Sequence, residues 1–520
     1  VDVRRLLDQA AARRPARPLL RCGGRSLTYP DVAALQDRMV EEFRAAGAKP
    51  GDRVAAFFPN CHLFLAAYYA ALKSDLALMP MNLRLASPER EAVLRRGGAR
   101  FLLGTPGLVP DFGEAGEGER QAPAPAPGGP DGWILRPSPF AAGEGTAPAP
   151  AGDGFLLYFT SGTTGDPKGV VLTRRNCEAH AEMTLAALGF TADDVWLHAA
   201  PMFHLADAWA IFTATAAGAG QAFLERWDAG AAVALARVAG VTLTNLVPSM
   251  IPDFLDAASR HPDRIPSLRL LLSGGAPTPP ALPGRIEETL GCAYAQTYGL
   301  TETSPFLTFS FPDDDERGRP EAERRLRLGR TGRAAPGIEL RVVRPAASAA
   351  FTDVRADDAE VGEVVVRGAT ITPGYWRDAP ATAEAFLGGW FHTGDLGTID
   401  ARRSIQLVDR AKDVIISGGE TVYSVEVERA LLDHAAVREA AVFAIPDERF
   451  GESVMAAVVL QPGAAAEAAS LAAFCRGRIA GYKCPRAVDI VPALPRTGSG
   501  KIDKKRLREP FWKGRDRRIS

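Results

Sequence analysis

Apolar and polar positions change period repeatedly along the first hundred residues. Between Glu42 and Leu72 a helical run ends and Lys49-Pro50-Gly51-Asp52 makes a turn. Arg53–Phe58 then reads as a buried strand, and a second helix follows. Alternation of this kind predicts a mostly parallel sheet covered by helices. Ala208–Leu224 carries no charge, is rich in Ala and Gly, contains Gln221 and follows His204 and Asp207 closely. It predicts a buried helix, turn and strand rather than a bilayer span, which needs about 20 strongly apolar residues. Past Ala359 the pattern shifts. Val361–Arg367 and Ile405–Val408 alternate like strands. Beyond Arg410 come a helix at Val425–Leu432, strands at Ala440–Ala444 and Val454–Leu460, a helix at Leu471–Ala480 and a strand at Val488–Val491. The fold class is therefore α/β: a large N-terminal domain of helix-covered β-sheets at 1–409, and a small C-terminal α+β domain at 410–520. The join is placed at Asp409–Asp413. Gln121–Gly152, rich in Ala, Pro and Gly, is expected to be a linker or long surface loop without assigned structure. Pro312–Arg327 is expected to be a solvated loop. No internal repeat is evident.

The chain has 520 residues, with 61 Lys+Arg against 62 Asp+Glu and a net charge of -1. That balance leaves no footprint for a nucleic-acid partner, apart from the short basic tail Lys513–Arg518. Hydrophobic residues at 46% and charged residues at 24% describe an ordinary soluble globular chain. Six scattered cysteines and no C-x-x-C argue against a zinc site, a redox pair or a disulfide scaffold, and favour a reducing, cytoplasmic setting. Charges recur through Val1–Leu7, so no signal-peptide apolar core opens the chain, although a start at Val rather than Met leaves room for trimming.

The most informative segment is Tyr158-Phe-Thr-Ser-Gly-Thr-Thr-Gly-Asp-Pro-Lys-Gly-Val170, which follows the apolar run Phe155–Phe159. Its glycines, its hydroxyls and Lys168 can present backbone N–H groups, O–H groups and one full charge to phosphate oxygens. It is not a Walker A loop, because Lys168 precedes Gly169 instead of following a glycine and leading into Ser or Thr. It is not a nucleophile elbow either, because Phe159 stands where that turn requires Gly.

The order of these residues resembles the phosphate-binding signature of the adenylate-forming superfamily. Its members include acyl-CoA synthetases, peptide-synthetase adenylation domains and luciferases. Further segments match in order over essentially the whole chain. The resemblance implies that ATP phosphates meet Thr160, Ser161, Gly162, Thr163, Thr164, Gly165 and Lys168. Gln296-Thr297-Tyr298-Gly299-Leu-Thr301-Glu302-Thr303 looks like the nucleotide segment: Tyr298 would stack on the base, Thr301 would contact the α-phosphate and Glu302 would hold Mg²⁺. Ser273-Gly274-Gly275-Ala276-Pro277 resembles the strip between the adenine and acyl pockets. Trp390–Gly397 resembles the ribose segment, with Asp395 as an acceptor for two hydroxyls and Arg410 beside it. Asp409–Glu420 resembles the interdomain hinge, with Lys412 as pivot and Ser417, Gly418 and Gly419 lining the pantetheine channel. Pro495–Ile502 resembles the C-terminal lysine loop, whose Lys501 would stabilise charge during adenylation. By the same likeness the small domain is mobile.

On the acid side, Pro201-Met-Phe-His204 resembles the segment opening the acyl pocket, with His204 as gate or carboxylate neighbour. Leu205, Ala206, Trp209, Asn245, Val247, Pro248, Ser249, Met250, Ser273, Gly274 and Thr303 are the pocket candidates. By the resemblance no acidic residue stands where relatives bind an α-amine, Asp207 being the nearest candidate, so an α-amino acid is disfavoured. The implied activity is an ATP-dependent, AMP-forming carboxylic acid–CoA ligase that uses ATP, Mg²⁺ and coenzyme A. Its expected substrate is a fatty acid of medium or long chain, the alternative being an aryl acid of feruloyl or benzoate type. A carrier-protein ligase, a luciferase and a catalytically silent nucleotide binder are the remaining options. The expected partners are thus small molecules, with no integral membrane segment and a homodimer as the oligomeric option. Thr421 and Ser424 depart from the family pattern, where many relatives carry Asn and Pro.

Overall fold

The computed structural model describes residues 1–16, 20–22, 24–112, 132–141, 155–160, 167–276, 278–279, 281–311, 320–344, 351–497 and 502–513. The chain forms two compact units. The first is Val1–Glu339 with Arg367–Phe386, and the second is Leu340–Val366 with Leu387–Ser520. The expected join falls inside the second unit, between the strand Ser404–Arg410 and the short 3-10 turn Ala411–Asp413.

The first unit contains two sheets. In one, the strands Ala293–Gly299, Leu270–Gly274, Leu243–Leu246, Val195–His198 and Gly220–Phe223 lie side by side in that order, all parallel. Phe306–Phe309 returns antiparallel beside Ala293–Gly299. The strand Leu270–Gly274 is buried throughout, as a parallel strand covered on both faces must be. Leu246, Leu271, Phe254 and Ile286 belong to the core beneath the covering helices. In the other sheet, Phe101–Gly104, Arg53–Phe57, Ala77–Pro80 and Phe155–Thr160 run parallel, and Lys168–Thr173 closes one edge antiparallel. The α/β reading of the large domain therefore holds.

Helix starts and stops are chemically marked. Asp228 accepts from the Ala231 N–H at 2.7 Å to open Ala229–Ala239, and Gly240 closes that helix at φ 66°. The uncharged stretch forms the helix Leu205–Ala217 and the strand Gly220–Phe223, both inside the fold. Among the described residues no helix is long and apolar enough to cross a membrane.

Two loop expectations need correction. Within Gln121–Gly152, Ile134–Pro137 is an edge strand antiparallel to Phe101–Gly104. The apolar run Trp133-Ile-Leu135 is the cause: Trp133 and Leu135 are buried, and the Trp133 indole donates to Glu42 at 2.6 Å. The parts of that segment at 121–131 and 142–152 lie outside the described residues. Within Pro312–Arg327, Glu321–Leu328 is a helix. Its run of Glu, Arg, Ala and Leu favours helix, and Glu323 and Arg327 pair one turn apart at 3.7 Å. Residues 312–319 lie outside the described set.

The second unit builds a small sheet ordered Glu420–Val422, Ile415–Ser417, Gly451–Leu460, Val437–Asp447, with Ala487–Ile490 parallel to Gly451–Leu460. Val442, Val458, Leu431 and Leu471 share its core with the helices Ser424–Leu432 and Ala468–Arg476. The cysteines at 61, 177, 292, 475 and 484 are buried free thiols.

One buried polar network fixes the entry to Leu205–Ala217. His198 Nδ1 lies 2.8 Å from Asp207, whose other oxygen accepts from the Trp196 indole at 3.2 Å, and His198 Nε2 lies 3.0 Å from Gln221 Oε1. Tyr29 donates to the Ala219 carbonyl, so its oxygen accepts from the Gln221 amide nitrogen at 3.2 Å. Burial pushes the Asp207 carboxyl up, and His198 and Trp196 hold it down. Asp207→Ala should cost about 3–5 kcal/mol, because His198 is left buried without its acceptor. Urea unfolding of the first unit checks this, and a loss below about 1 kcal/mol would refute the pairing.

Candidate active site

Parallel strands deliver their carboxyl ends to one edge, and the segments leaving that edge are natural ligand-binding places. Here they are 199–204 after Val195–His198, 247–250 after Leu243–Leu246, 275–276 after Leu270–Gly274, and 300–303 after Ala293–Gly299. The topology thus brings His204, Asn245, Val247, Ser249, Ser273, Gly274, Gly275, Ala276 and Gln296–Thr303 to a common edge of one sheet. Pro277 lies outside the described residues.

The close approach of Gly299 shapes the nucleotide segment: a Cβ there would sit 1.7 Å from the Pro305 carbonyl oxygen. Gly274 serves similarly, since the Thr297 hydroxyl occupies the space of its missing Cβ and donates to the Ser273 carbonyl at 3.2 Å. Thr303 is fully buried and uses its hydroxyl inside the turn, donating to Pro305 O at 2.5 Å and accepting from Leu300 N at 3.0 Å. It is therefore part of the frame. Tyr298 is largely buried.

In the other sheet of this unit, Thr160 and Lys168 are register partners and mark the two feet of the Gly/Ser/Thr loop. Ser161, Gly162, Thr163, Thr164 and Gly165 lie outside the described residues. The segment Gly374-Tyr375-Trp376 docks along the second foot: Trp376 N donates to Gly169 O at 2.7 Å, and Val171 N donates to Gly374 O at 3.2 Å. Tyr375 is thereby placed between two expected site residues. Its hydroxyl donates to Glu302 Oε1 at 3.0 Å, and the Lys168 ammonium lies 5.1 Å from its ring centre. Burial, and then the Glu302 carboxylate, pushes the Tyr375 phenol well above its ordinary range, so it stays a donor. The backbone of Glu302 is held too, since Thr372 N donates to its carbonyl at 2.8 Å. Sequence reasoning missed Tyr375; an aromatic pair straight after Gly374 was the available signal.

Glu302 suits a magnesium ion. It is a hard carboxylate whose two oxygens offer several lone pairs, one of which accepts from Tyr375. Among the described residues no group of three or more His, Cys, Asp and Glu forms a ready-made metal cage. A single carboxylate acting with phosphate oxygens is how Mg²⁺ is usually held.

On the acid side, His204 caps Leu205–Ala217, its Nδ1 accepting from Ala206 N at 3.2 Å. In that bond Nδ1 acts as the acceptor, which leaves Nε2 as the ring nitrogen able to donate. The Ala206 carbonyl accepts from the Asn245 amide at 2.9 Å and from the Trp209 indole at 3.1 Å. Trp209 also packs on Phe306 and His180, with ring centres 4.8 and 5.6 Å away. Val247 is half-buried, whereas Ser249 is exposed.

The second unit carries its own constellation. Asp395 and Arg410 are cross-strand partners, with Nε–Oδ1 at 3.0 Å; the carboxylate side chain is 5% exposed. Lys412 lies in the adjoining turn, where burial pulls its ammonium down against the pull of Asp413. Ser417 pairs with Glu420 across the two-residue loop Gly418-Gly419, at φ 63° and 85°. Two left-handed residues in a hairpin of this length call for glycine. Gly418 N donates to Phe450 O at 2.8 Å. Ser424, one of the two residues expected to depart from the family pattern, is fully buried; it donates to Asp409 at 3.1 Å and accepts from Lys504 at 2.6 Å. Lys501 lies outside the described residues.

The chain matches the model of the AMP-binding enzyme over residues 7–376, and that of the AMP-binding enzyme C-terminal domain over 426–501. It is 35% identical over 504 residues to a feruloyl-CoA synthase of Amycolatopsis sp, covering 96% of each chain. It is 32% identical to the long-chain-fatty-acid–CoA ligase FadD13 of Mycobacterium tuberculosis H37Rv, covering 93% of each. Among solved structures it resembles the o-succinylbenzoate coenzyme A synthetase (MenE) of Bacillus subtilis in complex with ATP and magnesium. That match has a TM-score of 0.78 and 28% identity, over 97% of this chain and 98% of that one.

Gly418→Ala should lower the stability of the second unit by about 1–2 kcal/mol, since its φ is left-handed and the new Cβ would lie 2.9 Å from the Phe450 ring. Thermal unfolding with a loss below about 0.3 kcal/mol would contradict the hairpin geometry.

Proposed function

From the premise that this chain belongs to the AMP-binding enzyme family and is an AMP-forming acid–CoA ligase of the acyl-CoA synthetase branch, we propose how its residues divide the work and which acid it takes. A carboxylate oxygen attacks the α-phosphorus of ATP; an acyl–phosphate bond forms and pyrophosphate leaves. The CoA thiolate then attacks the acyl carbon, a thioester forms and AMP leaves.

In the first step, Lys168 and the hydroxyls of Thr160 to Thr164 hold the phosphates, and Lys501 adds a cation where charge grows. Bound magnesium would supply Lewis-acid neutralisation of phosphate charge, with Glu302 as its protein ligand and Tyr375 holding that carboxylate in orientation. Tyr298 and Gly275–Ala276 border the adenine, and Asp395 with Arg410 takes the ribose. In the second step, rotation about Lys412 replaces Lys501 with Ser417–Gly419, which shape the thiol channel.

The acid is an aryl acid that carries a polar ring substituent. One observation carries this reading: Asn245 Oδ1, Gln296 Oε1 and His180 Nε2 are buried and have no hydrogen-bond partner among the described residues. Burial pulls His180 down to about 3, so its ring is neutral. An alkyl tail would leave such atoms unpaired at about 1–3 kcal/mol each, whereas a ring hydroxyl pairs with one of them. The Trp209, Phe306 and His180 rings suit an aromatic neighbour. Likeness to the feruloyl-CoA synthase supports the same reading. A fatty acid is the second reading, favoured by likeness to the long-chain ligase over 93% of the chain.

Release of AMP with CoA, measured for 4-hydroxycinnamic, cinnamic and dodecanoic acids, tests the choice. The hydroxylated acid should lead cinnamic acid by about tenfold or more in kcat/KM. A lead for dodecanoic acid would overturn the aryl reading, and turnover that requires a carrier protein instead of CoA would overturn the acceptor. Lys501→Ala should block adenylation while leaving thioester formation from preformed acyl-AMP, and equal loss of both half-reactions would refute the alternation. Tyr375→Phe should slow ATP–pyrophosphate exchange about tenfold and raise the magnesium concentration it needs. An unchanged magnesium dependence would remove Tyr375 from the site.

A further inference from the structure

Between the last residue of the strand Val195–His198 and the first of the helix Leu205–Ala217 the chain has no sheet partner. This is the segment that ends in His204. Its backbone groups need partners all the same, and a side chain from a distant part of the first unit supplies several of them. The Asn60 amide nitrogen donates to Ala200 O at 2.8 Å and to His198 O at 3.3 Å, and its oxygen accepts from Met202 N at 2.8 Å. With two carbonyls on one side and an N–H on the other, the orientation of this amide is fixed by its partners. Tyr68 donates to the Met202 carbonyl at 2.8 Å. Its proton being so committed, the Tyr68 oxygen accepts from the Tyr158 hydroxyl at 2.7 Å. Asn60, Tyr68, Tyr158 and Met202 are all buried. Burial first, in both cases, keeps the two phenols protonated far above neutral pH. Tyr158 lies on the strand Phe155–Thr160, two residues ahead of the first foot of the phosphate loop.

We propose that Asn60 and Tyr68 are positioning residues for the acid-binding segment Pro201–His204, and that the Tyr158–Tyr68 hydroxyl pair ties this segment to the strand entering the phosphate loop. The acid carboxylate and the α-phosphate must meet at about 3 Å, so the segment carrying His204 and the loop carrying Thr160 need a fixed relation. A relay of two hydroxyls and one amide supplies it inside a single unit of the fold. The inference rests on the acid-side reading of His204.

The test compares KM for 4-hydroxycinnamic acid (or dodecanoic acid, should the panel select it) with KM for ATP in four single variants and one double variant. His204→Ala is the reference and should raise the acid KM alone. Asn60→Asp keeps size and shape but turns an oxygen towards two carbonyls. It should raise the acid KM about tenfold or more and leave the ATP KM within about twofold. Tyr68→Phe should act in the same direction. Tyr158→Phe should act more weakly, because Tyr68 keeps its bond to Met202. In the Tyr68→Phe background, Tyr158→Phe should add little.

Equal rises in both KM values would mean that Asn60 and Tyr68 serve packing only. An unchanged acid KM in Asn60→Asp and Tyr68→Phe, with His204→Ala impaired, would overturn the positioning role while sparing the acid-side reading. An unchanged acid KM in His204→Ala would refute that reading and the proposal together. Should Asn60→Asp fail to fold, Tyr68→Phe, which loses one oxygen atom, decides the matter.

Discussion

Where a β-ladder stops, the peptide groups beyond it still require partners, and in a parallel sheet every strand stops at the same edge. The first unit is organised by this constraint. At that edge side chains replace the ladder: Thr303 turns the chain after Gly299, and Asn245 and Trp209 hold the Ala206 carbonyl. His204 opens the following helix. Under the proposed function most of these residues are used twice, once as scaffold and once beside the acid or the nucleotide. Their immobility is what a reaction between two bound substrates needs.

The second unit solves a different problem with turns. Gly418-Gly419 reverses the chain in two residues, and the Asp395–Arg410 pair fixes one strand against the next. Ser424 is no loose end. Its hydroxyl links Asp409, next to the turn containing Lys412, to the half-buried Lys504 on the last described helix. One donated and one accepted bond tie the turn region to the helix Lys504–Trp512.

Much of this was legible before any coordinates. The β/α alternation, the buried helix and strand near Ala208–Leu224 and the compact C-terminal sheet follow from period and turn chemistry. Those expected adenylate-forming residues that are described fall at strand ends, feet of loops and hairpin tips, where glycine and hydroxyl residues announce themselves. What stayed hidden depends on pairings across long stretches of chain. Tyr375 reaches Glu302 only because Gly374–Trp376 docks on Lys168–Thr173. Asn60 reaches Ala200 from 140 residues away, and nothing local marks it. The misread loops have simpler causes. Ile134–Pro137 is a four-residue strand surrounded by proline-rich sequence, and Glu321–Leu328 is charged enough to look solvated although its residues favour helix.

The thiols described in the fold have a consequence of their own. Burial pushes Cys177 and Cys292 in the first unit to about 12, and Cys475 in the second to about 11; Cys484 is raised as well. Thiolate is the reactive form, so these sulfurs are inert towards alkylating reagents while their surroundings stay closed. Each unit thus carries an internal reporter, and the order in which alkylation marks the two pairs records which half of the molecule opens first.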